Sequence, residues 1–219
     1  MKTKNLSLSH LVRPASNAVT NPTVLFLFHG YGSDEADLYS FSEELPSELF
    51  IISARAPFAL QPFGYCWYAI NFGASSGKWS DVEQACTSRD LILKFIDEAV
   101  LAYRLNPNNI NLLGFSQGTV LSYAVALSYP DKFRNVIALS GYIDENILVE
   151  DYAAKDHSKL KIYASHGQVD QVIPPEWAQR VSPKLKSLGI EHIYEEFPAG
   201  HGVSPQNFYS FKKWLEANI

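Results

Sequence analysis

The sequence predicts an α/β protein built on a mostly parallel sheet with helices on both faces, and three observations predict it. Short apolar runs recur at 24–28, 49–52, 110–113, 136–139 and 160–164, each followed by turn or loop residues. Helical patterns lie between or after several of them, at 90–103, 118–128, 176–188 and 207–217. Strands alternating with helices argue for βαβ units and a sheet covered on both sides. The third observation is an alternation of apolar and polar residues at 6–13, close to one end of the chain, which predicts an antiparallel edge strand.

In 90–103, Leu91, Phe95, Ile96 and Val100 return at helical spacing on one face. The run 190–197 is the last strand candidate, with Ile190, His192 and Tyr194 on one face. At 219 residues, with 47% hydrophobic and 19% charged residues, the chain fits a single domain, 1–219, around one core. No repeat, low-complexity tract or linker divides it, and no long insertion of the kind that builds a large cap domain is visible.

The composition also narrows the function classes. The net charge is -5 and the basic residues are scattered, so no nucleic acid partner is expected. The start Met1-Lys2-Thr3-Lys4 is followed by alternating leucine and serine, without the roughly 7–15 continuous apolar residues of a secretory signal. No run approaches the roughly 18 apolar residues of a membrane span, so a cytoplasmic protein is expected. Cys66 and Cys86 have neither a metal-ligand nor a Cys-x-x-Cys spacing and read as free thiols. No metal and no organic cofactor is expected. The sequence does not specify an oligomeric state, and a homodimer is compatible with it.

In parallel sheets of this kind ligands bind beyond the carboxyl ends of the strands. After 110–113 comes Gly114-Phe115-Ser116-Gln117-Gly118 and then a helix. This is the G-x-S-x-G nucleophile elbow in its required strand–turn–helix context, with Ser116 as nucleophile, and it predicts the α/β-hydrolase fold. After 24–28 comes His29-Gly30-Tyr31-Gly32. Acyl transfer needs two backbone N–H groups aimed at the developing oxyanion, and those of Tyr31 and Gln117 fit. His29 reads as a buried residue that orders this loop. The chain order of the fold is Ser, then Asp or Glu, then His. Asp131 follows a proline at a helix end, while Asp144, Asp151 and Asp156 fall in a polar stretch. Asp170 alone sits just past a strand, in Ser165-His166-Gly167-Gln168-Val169-Asp170, and is the expected acid. His201 lies in the late loop Pro198-Ala199-Gly200-His201-Gly202 and is the expected base. His192 falls inside a strand pattern, and His10 and His157 precede the aspartate.

With these residues in place, the sequence resembles the carboxylesterase/phospholipase family that includes the acyl-protein thioesterases. The resemblance runs from about Val24 to the C-terminus. Its markers are His29-Gly30-Tyr31-Gly32-Ser33-Asp34, Ala54-Arg55-Ala56-Pro57, Gly64-Tyr65-Cys66-Trp67-Tyr68, the elbow, His166-Gly167-Gln168-Val169-Asp170 ending in Pro174, and Gly200-His201-Gly202. The resemblance implies a Ser116–Asp170–His201 triad and an oxyanion hole of Tyr31 and Gln117. It is stronger to the bacterial broad-specificity esterases than to the thioesterases. One departure is Thr119, where the family usually has glycine or alanine after the elbow; a larger residue there can alter helix–sheet packing or narrow the site.

The expected substrate is therefore a small-molecule carboxylic ester, with thioesters and lysophospholipids as related classes. Two other readings stand beside it: a hydrolase fold that binds a ligand or partner without turnover, and a peptidase or carbon–carbon hydrolase. Specificity is expected from 57–79, whose aromatic residues Phe58, Phe63, Tyr65, Trp67, Tyr68, Phe72 and Trp79 alternate with glycines and have no helical period. Emerging after a strand, the segment reads as a structured loop forming an apolar wall for the acyl chain. Phe63 and Phe72 are the principal wall candidates, and Trp67 divides between the wall and the core.

Overall fold

The computed structural model describes residues 3–16, 20–71 and 80–219. In chain order its strands and helices are β1 (His10–Arg13), β2 (Val24–Phe28), α1 (Ala36–Tyr39), β3 (Phe50–Ala54), β4 (Phe58–Ala59), β5 (Tyr65–Cys66) and α2 (Val82–Tyr103). They continue as β6 (Ile110–Phe115), α3 (Gln117–Ser128), β7 (Phe133–Leu139), β8 (Lys161–Gly167), α4 (Pro175–Gln179), α5 (Val181–Ser187), β9 (Glu191–Phe197) and α6 (Pro205–Glu216). The main sheet has the order β1-β3-β2-β6-β7-β8-β9, and every pairing is parallel except that of β1 with β3. The N-terminal segment is thus the antiparallel edge, although it pairs only from His10 rather than from residue 6.

Why β2 reads as an unbroken apolar run is visible in its two faces. Val24, Phe26 and Phe28 join the core under α2 and α3, while Leu25 and Leu27 join the core under α1 and α6. Successive side chains of a strand point to opposite faces, so a strand covered on both has no polar position to offer. Phe26, Phe28 and Phe95 are fully buried in the first core; burial of each contributes about 1.5–3 kcal/mol. No helix among the described residues is long and apolar enough to cross a membrane.

Two of the four expected helices differ from their expected bounds by more than one or two terminal residues. α2 begins eight residues before the expected start at 90, because the Asp81 side chain accepts from the Gln84 N–H and caps a polar first turn. The expected helix 176–188 is two pieces, α4 and α5, meeting at Arg180. Pro183 lies four residues after Gln179 and has no N–H to return to its carbonyl, so the continuous ladder fails there.

Candidate active site

Ser116 stands between β6 and α3 with φ 53° and ψ -117°. That backbone region is unfavourable for a residue with a side chain, at a cost of about 1–3 kcal/mol, and such strain clusters at functional sites. The glycines of the elbow make the turn possible. A Cβ on Gly118 would lie 2.0 Å from the Phe28 carbonyl oxygen, and one on Gly114 would lie 2.5 Å from that of Gly118. α3 therefore starts pressed against the end of β2, beside the loop that carries Tyr31.

Three side chains from three strand ends are joined in series. His201 Nε2 lies 2.9 Å from Ser116 Oγ, and His201 Nδ1 lies 2.7 Å from Asp170 Oδ2. The other carboxylate oxygen, Oδ1, accepts from the backbone N–H groups of Val172 and Ile173 at 2.8 and 3.0 Å. Asp170 is thus an acceptor held from both sides, and its side chain is fully shielded from solvent. Because a carboxylate accepts only, the His201 hydrogen sits on Nδ1 and leaves Nε2 as the acceptor facing the serine hydroxyl. The ring of Phe115 packs against that of His201, centroids 5.0 Å apart, and restricts its rotation.

The two residues expected to supply oxyanion donors border the same cavity as Ser116 and His201. Gln117 is the first residue of α3, so its N–H has no intrahelical acceptor. Tyr31 lines the same cavity as Ser116. Its loop is fixed on both sides: the Gly32 N–H donates to the Tyr65 carbonyl at 2.9 Å and the Tyr65 N–H to the Ser33 carbonyl at 2.8 Å. His29 has the ordering place expected of it. Its Nδ1 bonds the Gly30 carbonyl at 2.7 Å, and its Nε2 accepts from the Ala56 N–H at 3.0 Å.

Burial lowers the pKa of both His29 and His10, against the opposing pull of the backbone carbonyls of Gly30 and Leu8. In the folded protein these rings resist charging, whereas in the unfolded chain they take up a proton at about pH 6.5. The unfolded state then binds more protons, so the stability they contribute is complete above that pH and is lost as pH falls through the folded values. The urea midpoint is expected to fall as the pH is lowered below about 6.5; a midpoint that stays constant on acidification would contradict this.

A cavity of about 330 Å³ opens on Ser116. Its apolar wall comes from Ile70, Phe115, Val120, Val172 and Ile173, with Tyr68 and Tyr142. Burial holds both tyrosine hydroxyls above the usual phenol pKa. Val120 and Tyr142 were not anticipated, though both carry a signal: Val120 is one helical turn from Ser116, and Tyr142 follows the end of β7. A larger cleft of about 640 Å³ adjoins across Ser80 and Tyr142 but touches none of Ser116, His201 and Asp170. Among the described residues no three His, Cys, Asp or Glu side chains are grouped as metal ligands.

The aromatic segment corrects the sequence reading. Trp67 is fully buried, its indole N–H donating to the His29 carbonyl at 2.9 Å, so it packs beneath the site and cannot touch a substrate. The side chain of Gln117 ties the same stretch to the elbow, with Oε1 accepting from the Trp67 N–H and Nε2 donating to the Tyr68 carbonyl. Phe63 is 79% exposed and is not among the residues lining the cavity. Phe72 and Trp79 lie outside the described residues. Thr119 is accommodated without displacing the elbow. Its hydroxyl donates to the Leu139 carbonyl at 2.7 Å, and its methyl faces Gly141, where a Cβ would come within 2.4 Å of it.

The chain is similar to several known proteins. The chain is 27% identical to acyl-protein thioesterase 1 of Eremothecium gossypii over 98% of its own length and 95% of that protein's. It is 28% identical to a probable carboxylesterase SOBER1-like of Arabidopsis thaliana over 68% of its length. The matched part spans 62% of that plant protein and 58% of a related probable carboxylesterase from Oryza sativa subsp. japonica. Among solved structures, esterase PE8 superposes with a TM-score of 0.84 at 25% identity, covering 97% of this chain and 99% of that one. The model of the phospholipase/carboxylesterase family matches residues 11–219, and the chain belongs to that family of hydrolases.

Proposed function

We propose that the chain hydrolyses carboxylic esters, and thioesters by the same route, through an acyl-serine intermediate. The unbroken Ser116–His201–Asp170 hydrogen-bond series, opening on an apolar cavity, is the observation that carries this reading. His201 Nε2 takes the hydroxyl proton as Ser116 Oγ bonds to the acyl carbon. The carbonyl π electrons move to oxygen, where the N–H groups of Tyr31 and Gln117 receive the negative charge; loss of one such donor typically costs about 2.7–4 kcal/mol of barrier. Collapse expels the alkoxide or thiolate, which leaves with the proton held by His201. Water then repeats the sequence on the acyl-enzyme, releasing the acid and restoring Ser116. Asp170 keeps the hydrogen on Nδ1 and stabilises the imidazolium that forms twice per cycle.

The names of the relatives, carboxylesterase and acyl-protein thioesterase, support the reaction class. The cavity bears on the substrate: about 330 Å³ is near the lower end of ligand pockets, about 300–1,000 Å³, and favours short acyl chains. A p-nitrophenyl ester panel from acetate to palmitate is expected to show kcat/KM highest for the short members. Val120→Phe should narrow the cavity and lower the butyrate rate more than the acetate rate, whereas Phe63→Ala should leave the order of preference unchanged. Absence of turnover with every ester and thioester of the panel would overturn the reading.

A further inference from the structure

Asp170 has a second histidine beside it. His166, at the end of β8, places Nε2 2.9 Å from the Ile173 carbonyl oxygen and 3.3 Å from Asp170 Oδ2, the same oxygen that receives His201. Both neighbours are pure acceptors, so the hydrogen must sit on Nε2. The His166 side chain is wholly shielded from solvent, and its Nδ1 is buried with no hydrogen-bond partner. A buried polar atom without a partner is unfavourable, and an apolar side chain of similar size would fill this space without one. What only the imidazole supplies here is an N–H that donates to the Ile173 carbonyl while holding its partial positive charge 3.3 Å from the carboxylate oxygen.

We propose that His166 is a positioning residue of the relay: its Nε2–H ties the 170–173 turn to β8 and fixes Asp170 Oδ2 in line with His201. The proposal rests on the hydrolytic role of Ser116 given above. Without that N–H, Asp170 keeps its two backbone donors on Oδ1 but loses the restraint on Oδ2, the oxygen on which His201 depends. Misplacing a catalytic group by a fraction of its bond length is costly because the serine, base and orienter act as one unit.

The test compares His166→Leu, which removes the N–H, with His166→Gln, which carries an amide N–H to about the same reach. Each is titrated with a fluorophosphonate so that rates refer to active sites. His166→Leu is expected to lower kcat about 10- to 100-fold with KM unchanged. The low-field proton resonance of His201 Nδ1–H should shift with it, and His166→Gln should restore most of both. Should the leucine variant fail to fold, His166→Asn, too short to reach Asp170, replaces it in the comparison. A folded variant lacking the N–H but retaining wild-type kcat and an unmoved resonance would overturn the proposal, as would equal impairment of the glutamine variant. Failure of the wild-type protein to react with the probe would instead overturn the assignment of Ser116, so the two failures are distinguishable.

Discussion

Ser116→Ala is expected to abolish covalent labelling by a fluorophosphonate and to lower ester turnover about 10⁶-fold, the loss seen when a triad serine is removed from an unrelated fold. The alanine keeps the elbow and the cavity, because the two glycines and the strained turn, not the hydroxyl, shape the backbone there. Residual rate above the uncatalysed reaction should come from the Tyr31 and Gln117 N–H groups together with substrate binding in the cavity. Intact-mass analysis after probe treatment and a p-nitrophenyl butyrate assay read both effects. Labelling at full stoichiometry in the variant would place the nucleophile elsewhere. A wild-type chain that neither labels nor turns over would favour the binding-only reading of the fold.

The second large effect belongs to Asp170→Asn, expected to lower kcat about 10⁴-fold while the protein stays folded. An asparagine amide must turn its N–H₂ toward one of two sets of donors. On the Oδ1 side it meets the N–H groups of Val172 and Ile173; on the Oδ2 side it meets His201 Nδ1 and His166 Nε2. Relief comes from shifting the His201 hydrogen to Nε2, and a base with its hydrogen facing Ser116 cannot accept the serine proton. The circular dichroism spectrum should be unchanged, and the rate should not recover at higher pH, since the defect is a tautomer and not a titration. Near-normal turnover in Asp170→Asn, with loss in Asp144→Asn or Asp156→Asn, would show the orienting acid to be another.

What the sequence could reveal of this site follows from where its chemistry sits. Ser116, Asp170 and His201 each fall within a few residues of a strand's carboxyl end, and the backbone brings those ends together whatever the intervening helices do. Strand periodicity plus residue type therefore pointed to three side chains that the structure joins by hydrogen bonds, and to Tyr31 and Gln117, which border the same cavity. Trp67 was illegible for the opposite reason. Whether an aromatic ring on an irregular segment points to solvent or to the core depends on which backbone groups wait beneath it, here the His29 carbonyl. Tyr142 and the side chain of Gln117 were missed because their partners, Ser80 and the 67–68 backbone, are distant in sequence. The break between α4 and α5 was written at Pro183, yet an apolar period running through a proline masks it.

Thr119 and Gly141 occupy what is in effect a single volume divided between two positions, one on α3 and one just beyond β7. The Thr119 methyl is housed here because residue 141 carries no side chain. A Cβ at 141 would lie 2.4 Å from the Thr119 methyl, 2.5 Å from the Thr119 Cβ and 3.2 Å from the Ser116 carbonyl oxygen, so a side chain there is incompatible with Thr119 as it stands. A relative with any side chain at 119 should accordingly carry glycine at 141, a correlation that owes nothing to substrate and everything to the space the two positions share.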